Sequence, residues 1–318
     1  MITVLCGGVG AARFLRALRS VVEPGTVTGV VNTGDDTVLH GLSISPDIDT
    51  ITYTLAGAID PERGWGLVDE SWRAMEALGR YAPVRPEGSA AAPTWFNLGD
   101  QDLATHFYRT ARLDEGATLT AVTAEIARAW GVPERLVPMS DDRVSTLVHL
   151  ADGPTVSFQE YFVQLRHGVP VRGVTFDGAD SATLQADAAT AIRDARAVVI
   201  APSNPLVSIG PMRALPGFDA LLTARRDSVV AVSPIVGGAA LKGPADRMLV
   251  ELGHEASVVG VARLYRDIAA TLVIDPADAA LASAVEAEGM RCVVVPSVMS
   301  TVEIGAALAT AVLAAAEH

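Results

Sequence analysis

Four aspartates fall within fifteen residues: Asp35 and Asp36 in the run Asn32-Thr33-Gly34-Asp35-Asp36, then Asp47 and Asp49 in Ser45-Pro46-Asp47-Ile48-Asp49-Thr50. Carboxylates this dense repel one another and any anionic ligand unless a hard cation lies among them. Magnesium characteristically takes one or two carboxylates plus phosphate oxygens. Asp36 and Asp49 are expected to hold the metal, although spacing alone does not divide the roles among neighbouring carboxylates, which titrate as coupled groups. The plainer reading, in which Asp35 and Asp47 cap turns or helices, applies to one or two of the four.

Just ahead, the apolar run Ile2 to Cys6 breaks into Gly7-Gly8-Val9-Gly10 and then into a helical pattern carrying Phe14, Leu15 and Leu18. A glycine turn that opens a helix aims backbone N–H groups and the positive end of the helix dipole at an anion. The alternative is a tight turn with no ligand. Arg13 stands where a dinucleotide fingerprint has its third glycine, and Asn32 where a ribose-binding acid would stand. A nicotinamide-dependent dehydrogenase is therefore disfavoured, while the phosphate geometry survives. The first fifty residues read as a site for a metal-bridged phosphate ester.

Further along, Trp95 to Asp102, Ser140 to Thr146 and Phe158 to Tyr161 combine polar turn residues with nearby rings, a mixture suited to a polar ligand. Plain helix starts, with Asp100 and Ser140 as caps, are the competing reading for the first two. Ala201-Pro202-Ser203-Asn204-Pro205 follows an apolar strand and so occupies the edge where open sheets bind ligands. Lys242 is the single lysine against twenty-three arginines. It sits in the loop-like stretch Gly237 to Pro244, where an ammonium meets phosphate or simply solvent. The histidines show no zinc spacing, and no serine or cysteine sits in a nucleophile elbow, so covalent catalysis by the protein is not expected.

These groups need a scaffold. Short apolar runs rich in β-branched residues, each ended by Pro, Gly or Ser, predict strands at Ile2 to Cys6, Val27 to Asn32, Ala197 to Ala201, Val229 to Ser233, Ser257 to Gly260, Leu272 to Ile274 and Cys292 to Val295. Helical patterns such as Leu241 to Leu252 and Ala277 to Glu288 intervene. The fold class is therefore α/β, a doubly wound, mostly parallel, Rossmann-like sheet in three layers. The chain reads as one unit, with its core in residues 1–49 and 177–318 and an insert over 50–176. That insert combines helices at Leu67 to Leu78, Asp100 to Leu113 and Leu119 to Trp130 with an antiparallel piece at Ser145 to Leu150 and Thr155 to Gln164. Thirteen of the sixteen aromatic residues lie between Tyr53 and Phe176, so the insert either packs a small core of its own or faces a flat ligand.

Half of the chain is apolar, enough to bury a substantial core. The net charge of -13 and pI near 4.8 argue against nucleic-acid and anionic-membrane surfaces. Cys6 and Cys292 fall in separate predicted strands, which fits a reduced cytoplasmic setting. No apolar run reaches bilayer length, no targeting signal is assigned, and Ile304 to Ala316 is expected to be a docked helix.

Taken in order, GGVGAARFL (Gly7 to Leu15), VNTGDD (Val31 to Asp36), SPDIDT (Ser45 to Thr50), Trp95 to Asp102, Ser140 to Arg143, Phe158 to Tyr161, APSNPLVSIGPM (Ala201 to Met212), SPIVGG (Ser233 to Gly238) and KGPADRM (Lys242 to Met248) resemble the 2-phospho-L-lactate transferase family, which builds the deazaflavin coenzyme F-420. The resemblance implies transfer of a phospholactyl or phosphoenolpyruvyl group from a guanosine diphosphate ester to the terminal ribityl hydroxyl of the deazaflavin Fo, with release of GMP. It also implies a magnesium requirement and a homodimer, and in such a transfer one of Asp36, Asp47 or Asp49 is expected to accept the proton of the attacking hydroxyl. The residues then expected to touch substrate are Gly8, Gly10, Asn32, Ser45, Trp95, Asn97, Asp100, Asp141, Asp142, Phe158, Glu160, Ser203, Asn204, Gly237 and Lys242. A non-enzymatic, nucleotide-sugar-binding regulator of the gluconeogenesis-factor type shares the glycine loop and the acidic turn, but Ser45 to Thr50 and Phe158 to Tyr161 favour the transferase.

Overall fold

Seven short runs of Val, Ile, Leu and Ala form one parallel sheet: β1 (Ile2–Cys6), β2 (Val27–Val31), β3 (Arg135–Pro138), β4 (Ala197–Ile200), β5 (Val229–Val232), β6 (Thr271–Ile274) and β7 (Arg291–Val294). The computed structural model describes residues 1–87, 89 and 91–317. Across the sheet the order is β3-β2-β1-β4-β5-β6-β7, so the winding reverses between β1 and β4. A crevice opens there at the carboxyl ends of the strands, the place where doubly wound sheets bind ligands.

The unbroken burial of β1, β2, β4, β5 and β6 explains why these strands are apolar on both sides rather than alternating. One face is covered by α1 (Gly8–Leu18), α2 (Pro46–Ala56), α4 (Leu119–Ala129) and α9 (Val302–Ala315), through Leu15, Ile51, Ala127 and Val312. The other is covered by α5 (Ala186–Asp194), α6 (Ala245–Glu251), α7 (Val258–Tyr265) and α8 (Ala282–Ala287), through Ile192, Leu249, Val261 and Val285. Between α2 and α4 lie a short helix, Arg73–Leu78, and the longer α3 (Asp100–Asp114). A three-stranded antiparallel sheet of Thr155–Ser157, Ser145–Leu150 and Val171–Asp177 follows β3. Its small core holds Val148, Tyr161 and Met248.

Two expectations about strands are corrected. Ser257 to Gly260 is not a strand. Ser257 is the N-cap of α7, its Oγ accepting the N–H groups of Val259 and Gly260 at 3.2 Å each. A β-branched run that is buried all round looks the same in sequence whichever way it coils. Removing this cap in Ser257→Ala is expected to cost about 1 kcal/mol, read as a lower urea midpoint with an unchanged m-value. Conversely Arg135–Pro138, inside the stretch assigned to the insert, pairs in parallel with β2 as an edge strand of the main sheet. Its charged first residue and terminal proline hid it, and both are tolerated only at an edge. Residues Phe158 to Gln164 do not continue the alternation of Thr155–Ser157, since Glu160–Gln164 winds as a π-helical turn. The helix expected from Leu67 is confined to Arg73–Leu78.

Candidate functional site

At the β1/β4 crevice the glycine turn is pinned before any ligand arrives. Ser203, just past β4, donates its Oγ–H to the Gly7 carbonyl at 2.8 Å and accepts the Gly7 N–H at 3.2 Å. Gly8 takes φ +69°, a left-handed conformation costly for any residue with a Cβ, and donates its N–H to Asp47 Oδ1 at 2.8 Å. The N–H groups of the first turn of α1 beyond Gly8 have no partner within the helix and face a cavity of about 630 Å³. Gly8, Gly10, Ser203 and Asn204 all line it.

The acids divide into two pairs with different fates. Asn32 Nδ2 donates to Asp35 Oδ2 at 3.1 Å and to Asp47 Oδ2 at 3.0 Å, while Asn32 Oδ1 accepts the Gly34 N–H at 2.9 Å. One amide thus holds two carboxylates side by side, and both line the cavity. Burial raises both carboxyls, Asp47 to about 6 and Asp35 well above the carboxylate range; the neighbouring Asp47 charge adds to the rise at Asp35. Asp35 Oδ1 is buried without a well-formed hydrogen bond, although the Thr146 hydroxyl beside this carboxyl works against the rise. Two hard oxygen donors under mutual repulsion, one of them orphaned, fit a divalent cation.

Asp36 and Asp49, the pair expected to hold metal, are engaged elsewhere. Asp36 Oδ2 accepts the Ser45 hydroxyl at 2.6 Å and its Oδ1 is buried without a partner, but the residue lies off the cavity wall. Both oxygens of Asp49 are taken by the fully buried guanidinium of Arg109, Nη1 to Oδ2 at 3.1 Å and Nη2 to Oδ1. The chain itself supplies the cation at Asp49. Arg109 Nη1 also approaches His106 Nδ1 at 3.2 Å. An arginine only donates, so this fixes Nδ1 as the acceptor and leaves the proton on Nε2. That nitrogen stands 3.1 Å from Asp102 Oδ2, poorly aligned for a hydrogen bond. Tyr53 donates to Asp102 Oδ1 at 2.7 Å. Burial works to raise Asp102, but His106 and then Tyr53 outweigh it and hold the carboxyl below the usual range. Asp49, Asp102 and His106 bring ligand atoms within 4.8 Å of one another, yet Arg109 fills the position a metal would take. Asp102 and His106 line the cavity. The sequence reading named neither as a site residue, although their four-residue spacing on α3 puts them on one helix face.

Two cations, Arg13 and Lys242, also line the cavity. Neither belongs to an ion pair among the described residues. Burial and the nearby Arg13 lower the Lys242 ammonium from its ordinary value. Arg13 entered the sequence reading only as a missing glycine. Its position one helical turn past Gly10 was the available signal.

Asn97, Phe96, Phe158, Phe162 and Trp65 supply much of the remaining wall. The other expected contacts do local work off that wall. Asp100 Oδ1 accepts the N–H groups of Ser71 and Gln101, at 2.8 and 2.9 Å. Asp141 accepts the Thr120 N–H at 2.7 Å, and Asp142 that of Thr183 at 2.7 Å. Glu160 accepts the Ser157 N–H at 3.0 Å, and the Gly237 N–H goes to Asp278 at 2.8 Å. Trp95 packs edge-on against Phe96 with centroids 5.8 Å apart, and Ser45 and Asn32 act through the acids described above.

Against known proteins, a family model described as 2-phospho-L-lactate transferase CofD matches residues 2–306. A phosphoenolpyruvate transferase of Streptomyces griseus subsp. griseus is 42% identical over 321 residues, covering 100% of this chain and 98% of that protein. The enzyme of the same name from Mycolicibacterium smegmatis is 39% identical over 98% of this chain and 97% of its own. Among solved structures, a UPF0052 family protein from Bacillus halodurans superposes with a TM-score of 0.60 at 14% identity over 98% of each chain. That likeness speaks for the fold alone. No helix among the described residues is long and apolar enough to cross a membrane.

Proposed function

The chain belongs to the 2-phospho-L-lactate transferase CofD family, a transferase family of coenzyme F-420 biosynthesis, and from that premise we propose that it moves a phosphoenolpyruvyl or phospholactyl group from a guanosine diphosphate ester to the terminal ribityl hydroxyl of Fo, releasing GMP. The enolpyruvyl donor is favoured by the names of the relatives described above, both phosphoenolpyruvate transferases. The observation that carries the reading is one cavity whose wall brings together two cations unpaired among the described residues, Arg13 and Lys242, and two carboxylates, Asp35 and Asp47, that have no cation of their own.

Magnesium would be held by Asp35 and Asp47. When bound it neutralises charge on the diphosphate and lets these acids coexist with an anionic donor. The protein's own part is positioning. First-turn N–H groups of α1, Arg13 and Lys242 hold and orient the diphosphate so that the phosphorus beside the enolpyruvyl or lactyl group faces the acceptor hydroxyl, and the aromatic wall excludes water. The oxygen–phosphorus bond to the acceptor forms as the bond to GMP breaks. The hydroxyl proton passes to Asp102, which Tyr53 and His106 keep ionised. Transition states of this kind ask more of placement and charge neutralisation than of a strong base. A homodimer and a cytoplasmic location belong to the same reading and rest on the resemblance and the free cysteines.

Purified protein incubated with Fo, enolpyruvyl-diphosphoguanosine and magnesium is expected to yield GMP and the phosphoenolpyruvyl ester of Fo in equal amounts by liquid chromatography and mass spectrometry. Hydrolysis of the donor without a product on Fo, or no turnover with either donor, would reject the assignment.

A further inference from the structure

Trp65 is 43% exposed, yet its surroundings hold it in place. An Ile59–Leu67 bridge closes its loop, and Asp60 Oδ1 accepts the N–H groups of Glu62 and Arg63 at 2.9 and 3.0 Å. The Arg63 guanidinium carbon lies 5.2 Å from the Trp65 ring centroid and 4.9 Å from that of Trp72, with the two rings 5.8 Å apart. Arg63 Nη2 donates to the Leu67 carbonyl and to Glu70 Oε1, both at 2.8 Å, and the Glu70 side chain is fully buried. A loop that invests a buried carboxylate and an arginine in fixing one exposed indole is built to present it, since large rigid rings are what binding sites use as anchors.

The indole is presented to the cavity, whose wall includes both Arg63 and Trp65. Lys242 Nζ lies so close to Gly64 that a methyl group there would stand 2.9 Å from it, and Phe162 lies 3.7 Å from where a methyl on Gly243 would be. Phe162 in turn stacks on Phe158, centroids 5.5 Å apart and rings inclined by 18°. Three segments remote in sequence therefore meet at Lys242–Gly243, one bringing Trp65, one the ammonium and one Phe162.

We propose that Trp65 is the stacking platform for the flat ring of the acceptor, with Arg63 as the positioning residue that holds it and Lys242 marking the step from ring to phosphate. This rests on the transfer to Fo argued above. A fused tricycle covers an exposed indole, whereas guanine is recognised through the several donors and acceptors of its polar edge, for which Phe162 offers no partner and Trp65 a single indole N–H.

Dissociation constants for Fo, followed by quenching of its fluorescence, and for GDP with magnesium, followed by calorimetry, separate the outcomes. Trp65→Ala is expected to weaken Fo at least about tenfold and Trp65→Phe by less, as base–aromatic stacking would predict. GDP affinity should stay within about twofold, which also shows the variant to be folded. Arg63→Gln should raise KM for Fo at unchanged kcat, with partial rescue in Arg63→Lys. Unchanged Fo affinity in Trp65→Ala would overturn the platform, as would a fall in GDP affinity instead. Wild-type protein that failed to bind Fo at all would strike at the transfer reaction itself, a result distinct from Fo binding equally well to both proteins.

Discussion

Asp35→Asn is expected to lower turnover by roughly 10³ or more while making the metal-free protein more stable at neutral pH. The kinetic half follows from taking a charge from a buried pair that faces the cavity. The stability half follows from the direction in which burial moves the two acids. Both Asp35 and Asp47 are raised above their unfolded values. The stability these carboxyls contribute is thus complete below about pH 4 and is lost as pH rises, for Asp47 through about 6. Every tenfold change in a carboxyl's proton affinity on folding is worth about 1.4 kcal/mol. His40 and His167, lowered by burial, act in the opposite direction over part of this range. The difference between variant and wild type, in which they cancel, is therefore the quantity to measure. In chelator-treated samples Asp35→Asn should melt higher than wild type at pH 7, the gap closing toward pH 5. Magnesium should raise the melting temperature of wild type much more than that of the variant. Full activity in Asp35→Asn, or a lower melting temperature at pH 7 without metal, would remove Asp35 from the metal site.

Gly10→Ala is expected to be severely damaging. Its Cβ would stand 2.1 Å from the Pro202 carbonyl oxygen, a backbone atom that no side-chain rotation can move aside. The turn after β1 and the loop after β4 would have to separate, stretching the reciprocal Ser203–Gly7 hydrogen bonds. A cost of about 3 kcal/mol or more follows, together with loss of GDP binding. Gly25→Ala, which meets nothing within 4 Å, is the control and should stay within about 0.5 kcal/mol of wild type. Equal denaturant midpoints for the two variants would refute the close approach.

How much of this was legible in sequence depended on whether the signal was local. The strands of the doubly wound core announce themselves because burial on both faces demands unbroken apolar runs, and the glycine turn does so because α1 starts within two residues of β1. Arg135–Pro138 failed that test, since an edge strand needs less burial. Ser257 to Gly260 passed it misleadingly, because four buried residues carry no period. In the site, the cluster of acids was visible but its division was not. Asp49 looks like a ligand until Arg109, sixty residues on, is seen to take both its oxygens, and Asp36, held through one oxygen by Ser45, lies off the cavity. Asp35, named only as a cap, is the acid on the cavity wall that keeps an orphaned oxygen. Asp100, Asp141 and Glu160 follow the ordinary preference of acids for nearby backbone N–H groups.

Asn32 sits at the strand end where related scaffolds carry the acid that grips a ribose. With its carbonyl oxygen engaged by Gly34 and both amide hydrogens shared between Asp35 and Asp47, this buried side chain is turned inward upon the chain itself. An amide at this position thus fastens two acids to each other where a carboxylate would have reached for a sugar.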